Sequence, residues 1–340
     1  MKTLFKAAAV LTVGVMTTAW SASEAQAREL KFSLLVPEHH VFVTEVAKPF
    51  AARLDKESGG ELKVTLYPSA VLGAGKEQLR LTETGVADIA LIVPSYTRGR
   101  FPRTESGLLP FAFDSAAHGT RTLMALRGQG LDKEYDTVKL LFPAMTSPVA
   151  LLTRSKPIAH LSDLRGISLR GTGGAQKAVL SEFGVNLVSM PASDLYVAME
   201  RGTIEGTVLS LASAPGYKLE ELVKYVNRIN FSATPIVVAM NPGTWQSLTP
   251  AQQTIVMAAA DQAAANTGKA YDGEDEKGLE TLRGKGAQVV DFPAEEVRKL
   301  REAAKPEWKS WTETLNKQGV DGEAFMAAFE KAAAAAQAGK

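Results

Sequence analysis

Apolar positions recur along this chain at two spacings, and the alternation between them predicts an α/β protein. Residues 30–36 read as a buried strand. Residues 41–58 carry apolar side chains at helical spacing and stop at Gly59-Gly60. A strand over 62–67, a turn over 68–73, a helix over 77–84 closed by Gly85 and a buried strand over 87–93 follow. The plan then recurs. Ser162 is placed to cap a single helical turn that Gly166 ends, 167–170 alternate as a short strand, Gly171-Thr-Gly-Gly174 turns without side-chain bulk, and 175–183 are helical. A strand over 186–190, a turn over 191–193, a helix over 194–201 capped by Gly202 and a strand over 204–209 complete it. Gly85-Val-Ala-Asp88 and Gly202-Thr-Ile-Glu205 fall at equivalent places, which two α/β lobes of similar build explain better than one sheet.

Beyond the second block, 236–240 read as a strand, and Thr249 as N-cap with Pro250 behind it opens a long Ala-rich helix. Unbroken to about residue 282, that helix is on the order of 50 Å long at 1.5 Å per residue. Such a length exceeds one lobe, so it is expected to span both, although Gly268 and Gly273 offer places to break it in two. A strand over 289–292, a helix over 293–315 and a terminal helix over 322–336 close the chain. The expected division is a first lobe of 28–146 with about 235–265, and a second of 147–234 with about 266–340.

Residues 1–27 stand outside this plan. Lys2 and Lys6 precede an apolar run over 7–20, and Ala25-Gln-Ala27 is a small-x-small cleavage site, the pattern of a secretory signal peptide cut after Ala27. A membrane anchor is the competing reading, but the run is short, broken by Thr and Gly, and followed by no basic stop. The expected location is therefore the periplasm. None of the 340 residues is Cys, which excludes disulfides, thiolate metal sites, a cysteine nucleophile and a lipoprotein tether. The formal charge is +1, and about zero once Lys2, Lys6 and Glu24 are removed. No global field draws the chain to nucleic acid or anionic lipid, so binding must come from a local site.

The sequence lacks a Gly-x-Ser-x-Gly elbow, a His-Glu-x-x-His pair, a Walker loop and a dinucleotide fingerprint. Of the four histidines only His39 and His40 are neighbours, and adjacent side chains on an extended segment point opposite ways, so no metal pair and no cofactor are expected. The basic run 97–103 reads as a solvated loop. Arg170 is the leading candidate: it ends the 167–170 strand, where ligands of open α/β sheets collect, and its planar fork matches one carboxylate. The alternative is an ordinary surface arginine. His40 and Tyr96 sit at the same carboxyl edge of the first lobe and are candidate contacts across a cleft. Catalysis by Asp88 or Glu205 as a base is the rival from another class. Their matching positions suggest strand-entry structure instead.

Together with Tyr67-Pro-Ser-Ala-Val-Leu-Gly73 and Gly85-Val-Ala-Asp88, the runs Gly99-Arg-Phe-Pro102, Leu109-Pro-Phe111, Asp163-Leu-Arg-Gly-Ile-Ser-Leu-Arg170, Met190-Pro-Ala-Ser-Asp-Leu-Tyr196 and Gly202-Thr-Ile-Glu-Gly206 form an ordered pattern. Met240-Asn241, Trp245 and Leu248 continue it. This pattern resembles the DctP-type extracytoplasmic solute-binding proteins of tripartite ATP-independent periplasmic (TRAP) transporters. The resemblance implies a non-enzymatic receptor of two lobes joined by crossing strands and a long helix. It would close over a small organic acid and deliver it to membrane permease subunits, and it is expected to act as a monomer without nucleic acid. It also implies that Arg170 grips the substrate carboxylate. An importer receptor of the ABC class shares the two-lobed plan but lacks this motif order.

Departures from the family pattern bear on the ligand. The second arginine that some members carry falls at Ala150, an aromatic residue falls at Ala192, and an asparagine falls at Leu209 beside Ser210. Each change makes the expected wall smaller or less polar, which favours a monocarboxylate over a dicarboxylate or sugar acid. Ser147 and Ser210 complete the set of candidate contacts.

Overall fold

The computed structural model describes residues 27–338. All but the last residue of the expected signal peptide lies outside them. Eleven strands are present among the described residues: β1 (Arg28–Ser33), β2 (Leu62–Tyr67), β3 (Ile89–Ile92), β4 (Lys139–Met145), β5 (Val149–Thr153), β6 (Ser168–Gly171), β7 (Asn186–Ser189), β8 (Gly206–Ser210), β9 (Tyr225–Asn227), β10 (Pro235–Met240) and β11 (Gln288–Val289). They form two mixed sheets, in the orders β2-β1-β3-β10-β4 and β11-β9-β5-β8-β6-β7. In the first, β2, β1 and β3 run parallel and β10 lies antiparallel between β3 and β4. The alternation along β10 serves two packing layers: Ile236, Val238 and Met240 join one apolar cluster, Val237 and Ala239 the other. The chain thus has the two-lobed architecture expected of it.

Two segments cross between the sheets, one from β4 to β5 and one from β9 to β10. They are tied to each other. The Thr146 and Val149 N–H groups donate to the carbonyls of Thr234 (3.0 Å) and Ser232 (2.9 Å), and the Asn230 N–H donates to the Val149 carbonyl (3.1 Å). The crossings therefore bend as a unit.

The long helix is continuous over Pro250–Gly284, 35 residues, and opens with a reciprocal cap between Thr249 and Gln252. Its glycines do not break it. A Cβ at Gly278 would lie 2.1 Å from the Leu211 carbonyl oxygen and one at Gly268 would lie 2.7 Å from the Ala117 Cα, whereas Gly273 has nothing within 4 Å. Gly268 and Gly278 thus let the helix dock closely on both lobes, where a side chain would hold them apart. Two acids strengthen the docking. Asp272 accepts the Ala116 and Ala117 N–H groups at 2.7 and 2.9 Å, and Asp275 accepts the Ser147 hydroxyl at 2.6 Å and the Ala212 N–H at 3.2 Å.

Three expectations need correction. The helical segment after β1 contains a π-turn at Val43–Ala47 before the regular stretch Lys48–Glu57, because Pro49 lacks the N–H that the regular ladder needs. The last strand is only two residues long. The sequence places the tail with the second lobe, whereas Phe325, Met326 and Phe329 of the final helix pack with Phe113 and Leu123 beside the first sheet. The preceding helix, Ala294–Lys317, spans both lobes. Its Leu300 and Ala304 join the second lobe's cluster, while Leu315 joins that of the first.

Candidate functional site

Arg170 ends β6, an interior strand of the second sheet whose residues pair with Val188 of β7 on one side and Thr207 of β8 on the other. The strand runs out at Gly171, so the side chain leaves the carboxyl edge and enters the space between lobes. It is 1 % exposed. Nε donates to the Met190 carbonyl at 3.0 Å and Nη2 donates to the Tyr96 hydroxyl at 2.8 Å. The same hydroxyl accepts the Ala192 N–H at 3.1 Å, so Tyr96 of the first lobe bridges two groups of the second. Among the described residues Arg170 has no ion pair. Among those residues its N–H groups have no acceptor beyond Met190 and Tyr96.

Around the guanidinium lies a cavity of about 50 Å³ between the lobes. Leu35, Val36, Leu91 and Val93 wall it from the first lobe and Ala192 and Leu209 from the second, with Ile236 beside the crossing. No acidic residue lines it, and Arg170 is its one Lys or Arg. An anion is therefore the species that this cavity attracts.

Three aromatic side chains complete the wall. His40 is 2 % exposed, and burial pushes its pKa down to about 3, so the ring is neutral near pH 7. Its Nδ1 accepts the Phe42 N–H at 3.2 Å, which leaves the proton on Nε2 as a donor. The ring stands edge-on to Tyr217 at 5.3 Å and Tyr271 at 6.3 Å between centroids. The Tyr271 hydroxyl is bonded to Ser213. Tyr217, 8 % exposed, has no hydrogen-bond partner for its hydroxyl among the described residues, and burial keeps that group protonated. It lies near enough to Arg170 to feel its charge. A guanidinium, a tyrosine O–H and an imidazole N–H around apolar walls can hold a carboxylate on a carbon body.

The family profile of the DctP proteins, the bacterial extracellular solute-binding proteins of family 7, matches residues 32–314. The chain belongs to this family. As a DctP-type protein of the TRAP class it is a solute-binding protein and not an enzyme. The fold is similar to that of a TRAP solute-binding protein from Rhodoferax ferrireducens T118 in complex with copurified benzoate. The TM-score is 0.88 and the identity 25 %, over 92 % of this chain and 99 % of that one. It is also similar to a marine metagenome TRAP protein specific for aromatic acid ligands, in complex with 3-hydroxybenzoate. Here the TM-score is 0.86 and the identity 25 %, over 91 % and 98 % of the two chains. The sialic acid-binding periplasmic protein SiaP of Vibrio cholerae is 24 % identical over 330 residues, 96 % of this chain and all of that one.

Of the residues that sequence reasoning selected in this DctP-type chain, Arg170, His40, Tyr96, Ala192 and Leu209 line one cavity. Ser147 and Ser210 are not among its lining residues: Ser147 donates to Asp275, and Ser210 donates to Ser213 at 2.8 Å. Ala150 pairs directly opposite Leu209 but lies buried beneath the wall. Tyr217 and Tyr271 were not selected. Tyr217 follows β8 much as Tyr96 follows β3, and that parallel was the available signal; Tyr271 lies mid-helix, with no local sign of a role. Asp88 accepts from the Lys31 N–H and the Thr244 hydroxyl, and Glu205 from Ser155 and Lys156, as strand-entry groups do.

The lobes touch closely beside His40. A Cβ on Gly216 would lie 2.9 Å from the His40 Cα, a contact across the cleft between two backbones. Gly216→Ala is expected to hold the lobes apart and weaken acid binding about tenfold or more, some 1.4 kcal/mol, with little change in the melting temperature without ligand. Unaltered affinity by calorimetry would show that binding does not need this contact.

Proposed function

We propose that this protein receives a small monocarboxylic acid with an apolar, ring-sized body and passes it to the membrane subunits of a TRAP transporter. The observation that carries the reading is Arg170, a buried cation that no acid among the described residues neutralises. A ligand carboxylate supplies the missing charge, with Tyr217 and His40 as further donors. The cavity has no second cation for a second carboxylate, and its walls, aliphatic and aromatic apart from Thr146, Thr172, Ser213 and Thr234, suit a ring better than a polyhydroxylated chain. Benzoate and 3-hydroxybenzoate in two similar TRAP proteins support this. Export to the periplasm follows from reading residues 1–27 as a signal peptide. Among the described residues no helix is long and apolar enough to cross a membrane.

A thermal-shift screen with benzoate, 3-hydroxybenzoate, succinate and sialic acid tests the reading. At a hundredfold excess over Kd a ligand adds about 2.7 kcal/mol to stability, enough to raise the melting temperature measurably. The aromatic monocarboxylates are expected to do so. A response to succinate or sialic acid with none to the monocarboxylates would refute it.

A further inference from the structure

The cavity at Arg170 does not end the cleft. Leu35 and Tyr217, which wall it, also wall a second and larger space of about 450 Å³ at the cleft mouth. Pro37 and Ser69 of the first lobe and Ser193, Tyr196, Lys218 and Glu221 of the second complete that outer chamber. Both lobes contribute to it, so it forms only when they approach.

Size and chemistry distinguish the two spaces. Small-molecule sites commonly have about 300 to 1,000 Å³, so the inner cavity suits only a carboxylate and a compact body, whereas the two together reach that range. The inner walls are mostly apolar around one cation, with Thr146, Thr172, Ser213 and Thr234 among them. The outer chamber mixes apolar wall, from Leu35, Pro37 and the two tyrosine rings, with polar groups and charges of both signs, from Ser69, Ser193, Lys218 and Glu221. The Tyr196 hydroxyl donates to Glu221 Oε2 at 2.7 Å, and Glu221 Oε1 and the Lys218 ammonium have no hydrogen-bond or ion-pair partner among the described residues. A hydroxyl in that chamber can donate to the carboxylate and accept from the ammonium.

We propose that the cleft mouth is a second subsite, which binds the hydrogen-bonding far end of an elongated aryl acid whose carboxylate rests on Arg170. This subsite rests on the monocarboxylate reading above and extends it. The acid threads past Leu35 and the Tyr217 ring, with its flat apolar middle at that threshold and its polar end between Lys218 and Glu221.

Calorimetry with benzoate and with 4-hydroxycinnamate, which carries a carboxylate and a phenol at opposite ends, tests the subsite on the full mature chain. The wild-type protein is expected to bind 4-hydroxycinnamate at least tenfold more tightly than benzoate. In Ser193→Trp, where an indole fills the chamber from its exposed rim, the ratio of the two affinities is expected to fall to within about twofold. In Glu221→Gln, which keeps the shape and removes the charge, the ratio falls by a smaller factor. If benzoate binds and 4-hydroxycinnamate binds no more tightly, or if the ratio is the same in Ser193→Trp, the subsite is wrong and the Arg170 reading stands. If neither acid binds, both fall together.

Discussion

Arg170→Met is expected to weaken acid binding by about thirty-fold or more, on the order of 2 kcal/mol at least, and at the same time to stabilise the protein in the absence of ligand. The two effects share one cause. An arginine side chain is a cation, and here it is 1 % exposed with no carboxylate of the described residues beside it. Hydrogen bonds to Met190 and Tyr96 offset part of the lost hydration but supply no negative charge. Methionine fills a similar space without that cost, and Tyr96 keeps its bond from the Ala192 N–H. The gain should be about 1 kcal/mol or more, by analogy with apolar replacement of buried ions. Loss of the charge partner should cost binding about 2 to 5 kcal/mol, roughly thirty- to several-thousand-fold in Kd. Denaturant titration without ligand and calorimetry with benzoate measure the two halves. A variant that is less stable and yet keeps its affinity within about threefold would show that Arg170 serves the fold rather than the ligand.

The same residue marks how far local pattern reaches. The run Leu161-Ser-Asp-Leu-Arg-Gly-Ile-Ser-Leu-Arg170 specifies its own turn and strand, so the place of Arg170 at a strand end was legible without long-range information, although the helical turn is capped by His160 with Asp163 and not by Ser162, which lies inside it. Tyr96 and Ala192 follow from the same logic, since both lie in turns just beyond strand ends. Tyr271 does not. It reaches the cavity only because the long helix runs unbroken past both lobes, and that depends on where Gly268 and Gly278 dock. The final helix was misplaced for a related reason. Phe325, Met326 and Phe329 form an apolar stripe that any exposed core would bury, and periodicity does not say which. Ser147 and Ser210 sit at suitable places along the chain, but a hydroxyl bonds to whichever acceptor it meets first, here Asp275 and Ser213.

Histidine 40 should leave a signature in the pH dependence of stability, because the folded protein buries it as a neutral ring. Its pKa falls from an ordinary 6.5 to about 3, with burial as the cause. The unfolded chain takes up a proton here as pH drops through 6.5, and the folded chain does not until about 3. Stability from this residue is therefore complete above pH 6.5, is lost progressively below it, and the total loss by pH 3 is on the order of 4 to 5 kcal/mol. Buried Glu105 and Glu134 act in the opposite sense. Their pKa values are raised to about 7, so they lower stability as pH rises from about 4.5 to 7, and the whole-protein curve mixes the contributions. A comparison with His40→Asn isolates the histidine, since both glutamates are common to the two chains and the asparagine keeps an acceptor for the Phe42 N–H. The stability advantage of the wild type over the variant should shrink by about 2 kcal/mol between pH 7 and pH 5. If the difference between the two chains stays constant over that interval, the imidazole charges in the folded state, and Nδ1 does not accept the Phe42 N–H as assigned.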